Sequence, residues 1–248
     1  MKSHAAILME PRTNYEDLAD CTLVIMAKAP RLGSVKTRLA ESLCLQAVTE
    51  LYLCLLNDTI ALAQALDYVE IAIMCPASDV DDLSRAVAKT VRVVPQTGQG
   101  LAAGLASVFH HFATSGQQRV IAFNSDSPHL PASVLETAFD VLGARDLVVG
   151  PTNDGGYYLV GARASHSDLF ASDGMGTANA LETLLTRARA LGLSVHLTDP
   201  FYDIDVEGDL TRLAAELRIA PARAPRTAVW LKQWGQAVAQ LRTGTGGL

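Results

Sequence analysis

No stretch of these 248 residues approaches the ~18 consecutive apolar residues that a membrane-spanning helix needs, so no membrane partner is expected. The apolar part of the first segment, Met1 to Pro11, is about five residues, too short for the core of a secretory signal, and no leader is expected. Cysteine is scarce: Cys21, Cys44, Cys54 and Cys75 are the only four, and none forms a C-x-x-C pair. They are expected as buried free thiols in a reducing cytoplasm, without a structural zinc site. The six histidines show no metal-ligand spacing; His129 lies near the central motif below but is not expected to be catalytic. Positive charge is also short. Twenty Lys and Arg face 26 Asp and Glu, for a net charge of −6, so nonspecific nucleic-acid binding, which needs a broad basic face, is not expected. No internal repeat, low-complexity tract or P-loop glycine spacing is present.

What the chain does have is a large apolar fraction, 49%, enough to bury a substantial core. Short apolar runs alternate with helical periodicities. Cys21–Ala27, Val69–Cys75, Thr90–Val94, Arg119–Asn124, Asp146–Gly150, Tyr157–Gly161 and Ser194–Thr198 read as strands. Segments 41–66, 80–88, 101–113, 131–142, 177–191, 206–217 and 227–241 read as helices. The alternation predicts a three-layer α/β fold, a mostly parallel sheet with helices on both faces. Asp146–Gly150 and Tyr157–Gly161 are close enough to form a hairpin. The expected division is an N-terminal arm over 1–20, one nucleotide-binding domain over 21–218, and a linker with an amphipathic helix over 219–248. Pro221 and Pro225 mark that linker. Trp230 and Trp234 share a face of the last helix, expected either to dock on the domain or to meet a second copy in a homodimer.

Sheets of this kind bind ligands beyond the carboxyl ends of their strands. Three segments are placed to meet there. Ser125-Asp126-Ser127-Pro128 ends a buried strand on a carboxylate and a turn. The loop 28–38 carries four cations and no acid, and Lys36 and Arg38 can point the same way if that part is extended. The turn 203–209 is acidic. Cations from one flexible loop, with backbone N–H groups near Gly33, can clamp a polyphosphate. Hard carboxylate oxygens from Asp126 and Asp205, with Asp203 the lesser choice, suit Mg²⁺ or Mn²⁺. Glu207 and Asp209 are expected to complement the dipole of the following helix. Gln96, Gly98 and Gly100 fall in a loop that either lines a base pocket or is bland. Asn153-Asp154-Gly155-Gly156 is either a plain hairpin turn or an acceptor-holding loop in which Asp154 orients a hydroxyl. Thr177 after Gly176 either caps a helix or presents its hydroxyl and N–H to an anion.

At these residues the sequence resembles a known group. Ala27-Lys-Ala-Pro-Arg-Leu-Gly-Ser-Val-Lys-Thr-Arg-Leu39, Ser125-Asp-Ser-Pro128, Gly150-Pro-Thr-Asn-Asp-Gly-Gly-Tyr-Tyr-Leu159 and Asp203-Ile-Asp205 are similar, in order, to motifs of the radical-SAM/selenodomain-associated transferases. That family has a glycosyltransferase-A-type fold and is related to 2-phospho-L-lactate guanylyltransferases and molybdenum-cofactor nucleotidyltransferases. The resemblance spans roughly residues 21–215. Gly100-Leu-Ala-Ala-Gly104 and Met175 depart from the family pattern.

The residues and the resemblance together imply a Mg²⁺- (or Mn²⁺-) dependent, cytoplasmic, nucleotide-using transferase. The preferred expectation is transfer of NMP from an NTP to a small anionic acceptor, with pyrophosphate release. Lys36, Arg38 and Asp126 would be catalytic, Ala27, Lys28, Gly33, Lys36, Arg38, Gln96, Gly98 and Asp126 would hold the nucleotide, and Asp126 and Asp205 the metal. Asp154, Gly155, Gly156, Gly176 and Thr177 would hold the acceptor. The alternatives are glycosyl transfer from a nucleotide-diphospho-sugar to a sugar-like acceptor, and a non-catalytic nucleotide-binding module.

Overall fold

The computed structural model describes residues 20–170, 175 and 179–244, with side chains as far as 235. Seven strands form one sheet: β1 (Cys21–Met26), β2 (Glu70–Cys75), β3 (Arg92–Pro95), β4 (Arg119–Asn124), β5 (Leu147–Pro151), β6 (Tyr157–Ala162) and β7 (Val195–Leu197). Their spatial order is β3-β2-β1-β4-β6-β5-β7. All neighbours pair in parallel except β6, which runs antiparallel to both β4 and β5. The mostly parallel α/β sheet expected from the alternation is therefore present, and the β5–β6 pair is a hairpin.

The strands are apolar on both faces because helices cover both. Leu23 and Ile25 of β1 face one core with Ile73, Ile121 and Phe123, under α1 (Leu45–Gln64) and α4 (Ala132–Val141). Val24 faces the other with Ala72, Ala122 and Val160, under α3 (Gly100–Thr114) and α5 (Ala180–Ala190). A short α2 (Val80–Ala86) links β2 to β3. Most elements shift from their expected ends by one to three residues. The largest change is the helix expected over 41–66. A 3₁₀ turn over Leu39–Glu41 comes first, and α1 starts at Leu45.

A fourth layer lies outside the three that were expected, and it is built in part by docking of the last helix, one of the two outcomes expected for Trp230 and Trp234. α1 is buried on a second side, where Leu51 and Leu55 meet Leu210 and Leu213 of α6 (Glu207–Ile219) and Trp230 of α7 (Pro225–Gly244). Between α6 and α7, Pro221 opens a 3₁₀ turn and Pro225 begins α7. Proline at a first helical position sacrifices no helix hydrogen bond. Trp230 is buried and its ring stacks on Trp234 at 6.0 Å.

Asp58, on α1, fixes this layer. Its buried carboxylate accepts hydrogen bonds from the Thr227 N–H and hydroxyl, each at 2.8 Å, and from the Arg226 N–H at 3.2 Å. An anion at the amino end of α7 satisfies donors that the helix cannot. Cys21 and Cys75 are buried, but Cys54 is half-buried and Cys44 exposed, a correction to the expected burial; Cys44 precedes α1 in the surface turn after the basic loop. Among the described residues no helix is long and apolar enough to cross a membrane.

Candidate active site

β1 and β4 are adjacent and parallel, with Met26 opposite Asn124, so the loops that follow them leave the same sheet edge side by side. The basic loop is pinned at its start. The Ala29 N–H donates to Asp79 at 2.8 Å, and Arg31 pairs with Asp79 at 2.6 Å and with Asp82 at 2.5 Å. Arg31 therefore positions the loop and does not face its ligand side. At its far end Leu39 is fully buried.

The acidic turn is tied to the β4 turn through the backbone. The Ile204 N–H donates to the Asp126 carbonyl at 3.2 Å, and the Ser127 hydroxyl to the Tyr202 carbonyl at 3.2 Å. Asp209 accepts from the Asp205 and Val206 N–H groups at 2.9 and 2.8 Å. It is a structural acid at the start of α6, in line with its expected role.

These ties bring Lys36 between two carboxylates. Its Nζ lies 2.9 Å from Asp126 and 2.8 Å from Asp205, with only 4% of the side chain exposed. Arg38 is 62% exposed and touches Asp205 at 3.5 Å. Burial alone would depress the Lys36 ammonium, but the charges of Asp126 and Asp205 hold it above the ordinary lysine range. For Asp205 burial works upward and Lys36 outweighs it, leaving the carboxyl below its usual range. For Asp203 the pull of Lys36 is outweighed. Burial, then the charge of Asp205, push it up to about 6. Lys36 is also the one non-glycine residue with positive φ among those described, at 47°, a left-handed conformation of some cost outside glycine.

Asp126, Asp203 and Asp205 each offer an oxygen, all within 4.8 Å of one another. A triangle of hard oxygen donors with room for water or phosphate fits Mg²⁺ or Mn²⁺ and not a soft metal. The pair expected from sequence is thus joined by a third acid, Asp203.

A cavity of about 700 Å³ opens over this cluster, large enough for a small-molecule cofactor or substrate. Ala27, Lys28, Lys36, Arg38, Gln96 and Asp126 from the expected nucleotide set line it, as does Asp205. Gly33 and Gly98 are not among the described residues that do; they serve positive-φ turns at 75° and 82°. Gln96 donates to the Gly98 and Gly100 carbonyls at 3.1 and 3.2 Å, which folds its loop back on itself. Met26, Met74, Gln99 and Leu101 add an apolar and amide-bearing end to the cavity.

The expected acceptor residues stand apart. Asp154 accepts from the Thr152 hydroxyl at 2.5 Å and from the Gly156 N–H at 3.3 Å, so its carboxylate closes the β5–β6 turn. Neither it, Gly155 nor Gly156 lines the cavity. Gly176 and Thr177 lie outside the described residues. One polar cavity residue, Tyr52, gave no signal in the sequence. Tyr52 sits among the apolar residues of α1, yet its hydroxyl accepts from the Lys28 N–H at 3.0 Å and lies 3.5 Å from the Ser125 hydroxyl. Burial pushes that phenol up to about 12. A tyrosine on a buried helix stripe reads as core until the packing of α1 against both loops is known.

Comparison with known proteins agrees with the architecture. Residues 59–177 match a family profile described as an uncharacterized protein conserved in bacteria (DUF2064). That span holds the Ser125–Pro128 and Gly150–Leu159 motifs but neither the basic loop nor Asp203–Asp205. No curated protein matches the sequence. A provisionally named nucleotide-diphospho-sugar transferase from Desulfovibrio desulfuricans G20 superposes with a TM-score of 0.82 at 24% identity, over 89% of this chain and 97% of its own. CMP:2-keto-3-deoxy-manno-octonic acid synthetase, solved with CTP, gives 0.56 at 13% identity, over 81% and 99%. A cytidylyltransferase from Leptospira borgpetersenii serovar Hardjo-bovis gives 0.55 at 11%, over 83% and 96%. At these identities the likeness is one of fold, the nucleotide-diphospho-sugar transferase fold.

Proposed function

We propose that the protein is a divalent-metal-dependent, nucleotide-using transferase, and that its reaction is nucleotidyl transfer from an NTP to a small anionic acceptor. The observation that carries this reading is the meeting of Lys36 with Asp126 and Asp205, at 2.9 and 2.8 Å, on the wall of a cavity of about 700 Å³. Three segments far apart in the chain supply a cation and paired acids where a phosphate chain would lie.

Asp126, Asp203 and Asp205 would hold the divalent ion, which when bound neutralises charge on the leaving pyrophosphate. Lys36, Arg38 and the exposed Lys28 would hold phosphate oxygens as point charges and hydrogen-bond donors. The end lined by Gln96, Gln99 and Leu101 would take the base. The Asp154 turn leaves the same sheet edge one strand beyond Asp126, since Phe123 of β4 pairs with Leu159 of β6. We retain it, with Gly155, Gly156, Gly176 and Thr177, as the acceptor side. The chemistry is positioning and charge neutralisation, with no covalent enzyme intermediate. Relatives of the fold include proteins named as cytidylyltransferase and as nucleotide-diphospho-sugar transferase, so glycosyl transfer is the second reading.

A pyrophosphate-release screen over four NTPs and small phospho-acids, with thermal shift alongside, tests both. Ligand at about 100 times its Kd adds about 2.7 kcal/mol, or roughly 5–10 °C for a domain of this size. NTP with Mg²⁺ should give such a shift and release pyrophosphate; a shift only with nucleotide-sugars selects the second reading. Asp126→Asn should lose the Mg²⁺-dependent part. No shift with either ligand class, or a full Mg²⁺ effect in Asp126→Asn, overturns the proposal.

A further inference from the structure

The lysine that a phosphate chain would need is already engaged. Lys36 Nζ spends two hydrogen bonds, at 2.8 and 2.9 Å, on the carboxylates a metal would need. With 4% of its side chain exposed, it is the most enclosed of the three cavity cations. Arg38 is largely in solvent and Lys28 is exposed. Free polyphosphate meets acceptor-only carboxylates whose cation is committed, and a free divalent ion meets a site already holding an ammonium. Each arriving alone must break charge-assisted pairs between a buried lysine and two half-buried acids, which is costly because it strands one partner.

We propose that Lys36 is an exchangeable internal counter-ion that makes this site select the metal–polyphosphate complex over either component alone. This rests on the reading of the site as metal- and nucleotide-binding. On arrival of the complex the Lys36 ammonium leaves Asp126 and Asp205 and transfers to phosphate oxygens, while the two carboxylates pass to the metal. No charge is left unpaired at the end of the exchange. The move needs only side-chain rotation into the cavity that Lys36 lines. The backbone on either side is held, by Asp79 at Ala29 and by the buried Leu39. The left-handed φ of 47° at Lys36 aims the side chain across the loop towards the acids, a direction worth its conformational cost if the ammonium serves both states.

The exchange is visible without turnover or an acceptor. Reductive dimethylation of the intact protein, read by peptide mass spectrometry, reports whether Lys36 is paired. Lys89, exposed and outside the cavity lining, is the internal control. Lys36 should label slowly in the free protein. Saturating Mn²⁺, with occupancy followed by EPR, should raise its labelling at least fivefold. Adding inorganic tripolyphosphate to the Mn²⁺ protein should restore protection. A second arm uses Lys36→Met, which keeps the side chain's length without charge: Mn²⁺ alone should bind at least tenfold tighter than to the wild type. Lys36 that stays protected under saturating Mn²⁺, absence of Mn²⁺ binding in both proteins, no renewed protection by tripolyphosphate, or unchanged or weaker Mn²⁺ affinity in the variant overturns the proposal. Because no arm measures pyrophosphate release, failure of the transferase reading and failure of the lysine exchange are seen separately.

Discussion

Replacing Asp58 by alanine tests whether the outer helices are part of the fold or an appendage. The carboxylate is 1% exposed, and Thr227, its main partner, is 0% exposed. Alanine would leave two Thr227 donors, the N–H and the hydroxyl, without the acceptor they meet at 2.8 Å. A buried donor left unsatisfied costs about 1–3 kcal/mol. Arg226 is 56% exposed on its side chain and can return to water, so it adds little. The expected loss is about 3–4 kcal/mol, near the range for breaking a buried charged network. Asp58→Asn keeps one acceptor oxygen and should lose about half as much. Urea unfolding measures this as a fall in the midpoint at constant m, since the same surface is exposed on unfolding. A midpoint for Asp58→Ala within about 0.5 kcal/mol of wild type, the usual range for surface substitutions, would refute the reasoning. It would mean that α7 contributes nothing to cooperative stability.

Two further outcomes are expected. His129 is fully buried with neither ring nitrogen hydrogen-bonded, and burial lowers it to about 4, with Glu216 opposing and Arg212 and Arg223 assisting. Its neutral form is native, so the unfolded chain takes up the proton first as pH falls from about 6.5. Stability should drop by up to about 3 kcal/mol by pH 4. Asp203, raised to about 6, works in the opposite sense over that window. The difference between wild type and His129→Phe, measured by urea titration at several pH values, therefore isolates the histidine; parallel curves would refute it. At the cavity, a Cβ on Gly104 would lie 2.7 Å from Gln96 Oε1 and 2.9 Å from Met26 Cε. Gly104→Ala should release Gln96 from the Gly98 and Gly100 carbonyls and weaken nucleotide binding roughly tenfold, about 1.4 kcal/mol, measured by calorimetry. Unchanged affinity would show that this loop does not shape the ligand's binding.

The short turn before Tyr157 made the β5–β6 hairpin legible, but the strand order, with β6 inserted between β4 and β5, lies beyond what local pattern contains, because Tyr157–Ala162 is apolar in the same way as its parallel neighbours. Pairing partners are a non-local choice. The motifs fared unevenly for the same reason. Lys36, Asp126 and Asp205 were legible because unusual charge followed apolar strand runs, and in this fold class loops after strands share one edge. Tyr52 was hidden on an apolar helix stripe. Asp154 had two local readings, and its side chain takes the turn-closing bonds.

Sequence alone determined the layered α/β class, the acid-free cluster of four cations in residues 28–38, and the three charged segments of the candidate site. Those are properties of period and composition, which survive without knowing what touches what. Only the tertiary structure decided that Lys36 stands between Asp126 and Asp205 with Asp203 beside them, and that Asp58 ties α7 into the body of the protein. Those facts depend on contacts between residues some 90 to 170 positions apart, fixed by how the cores pack.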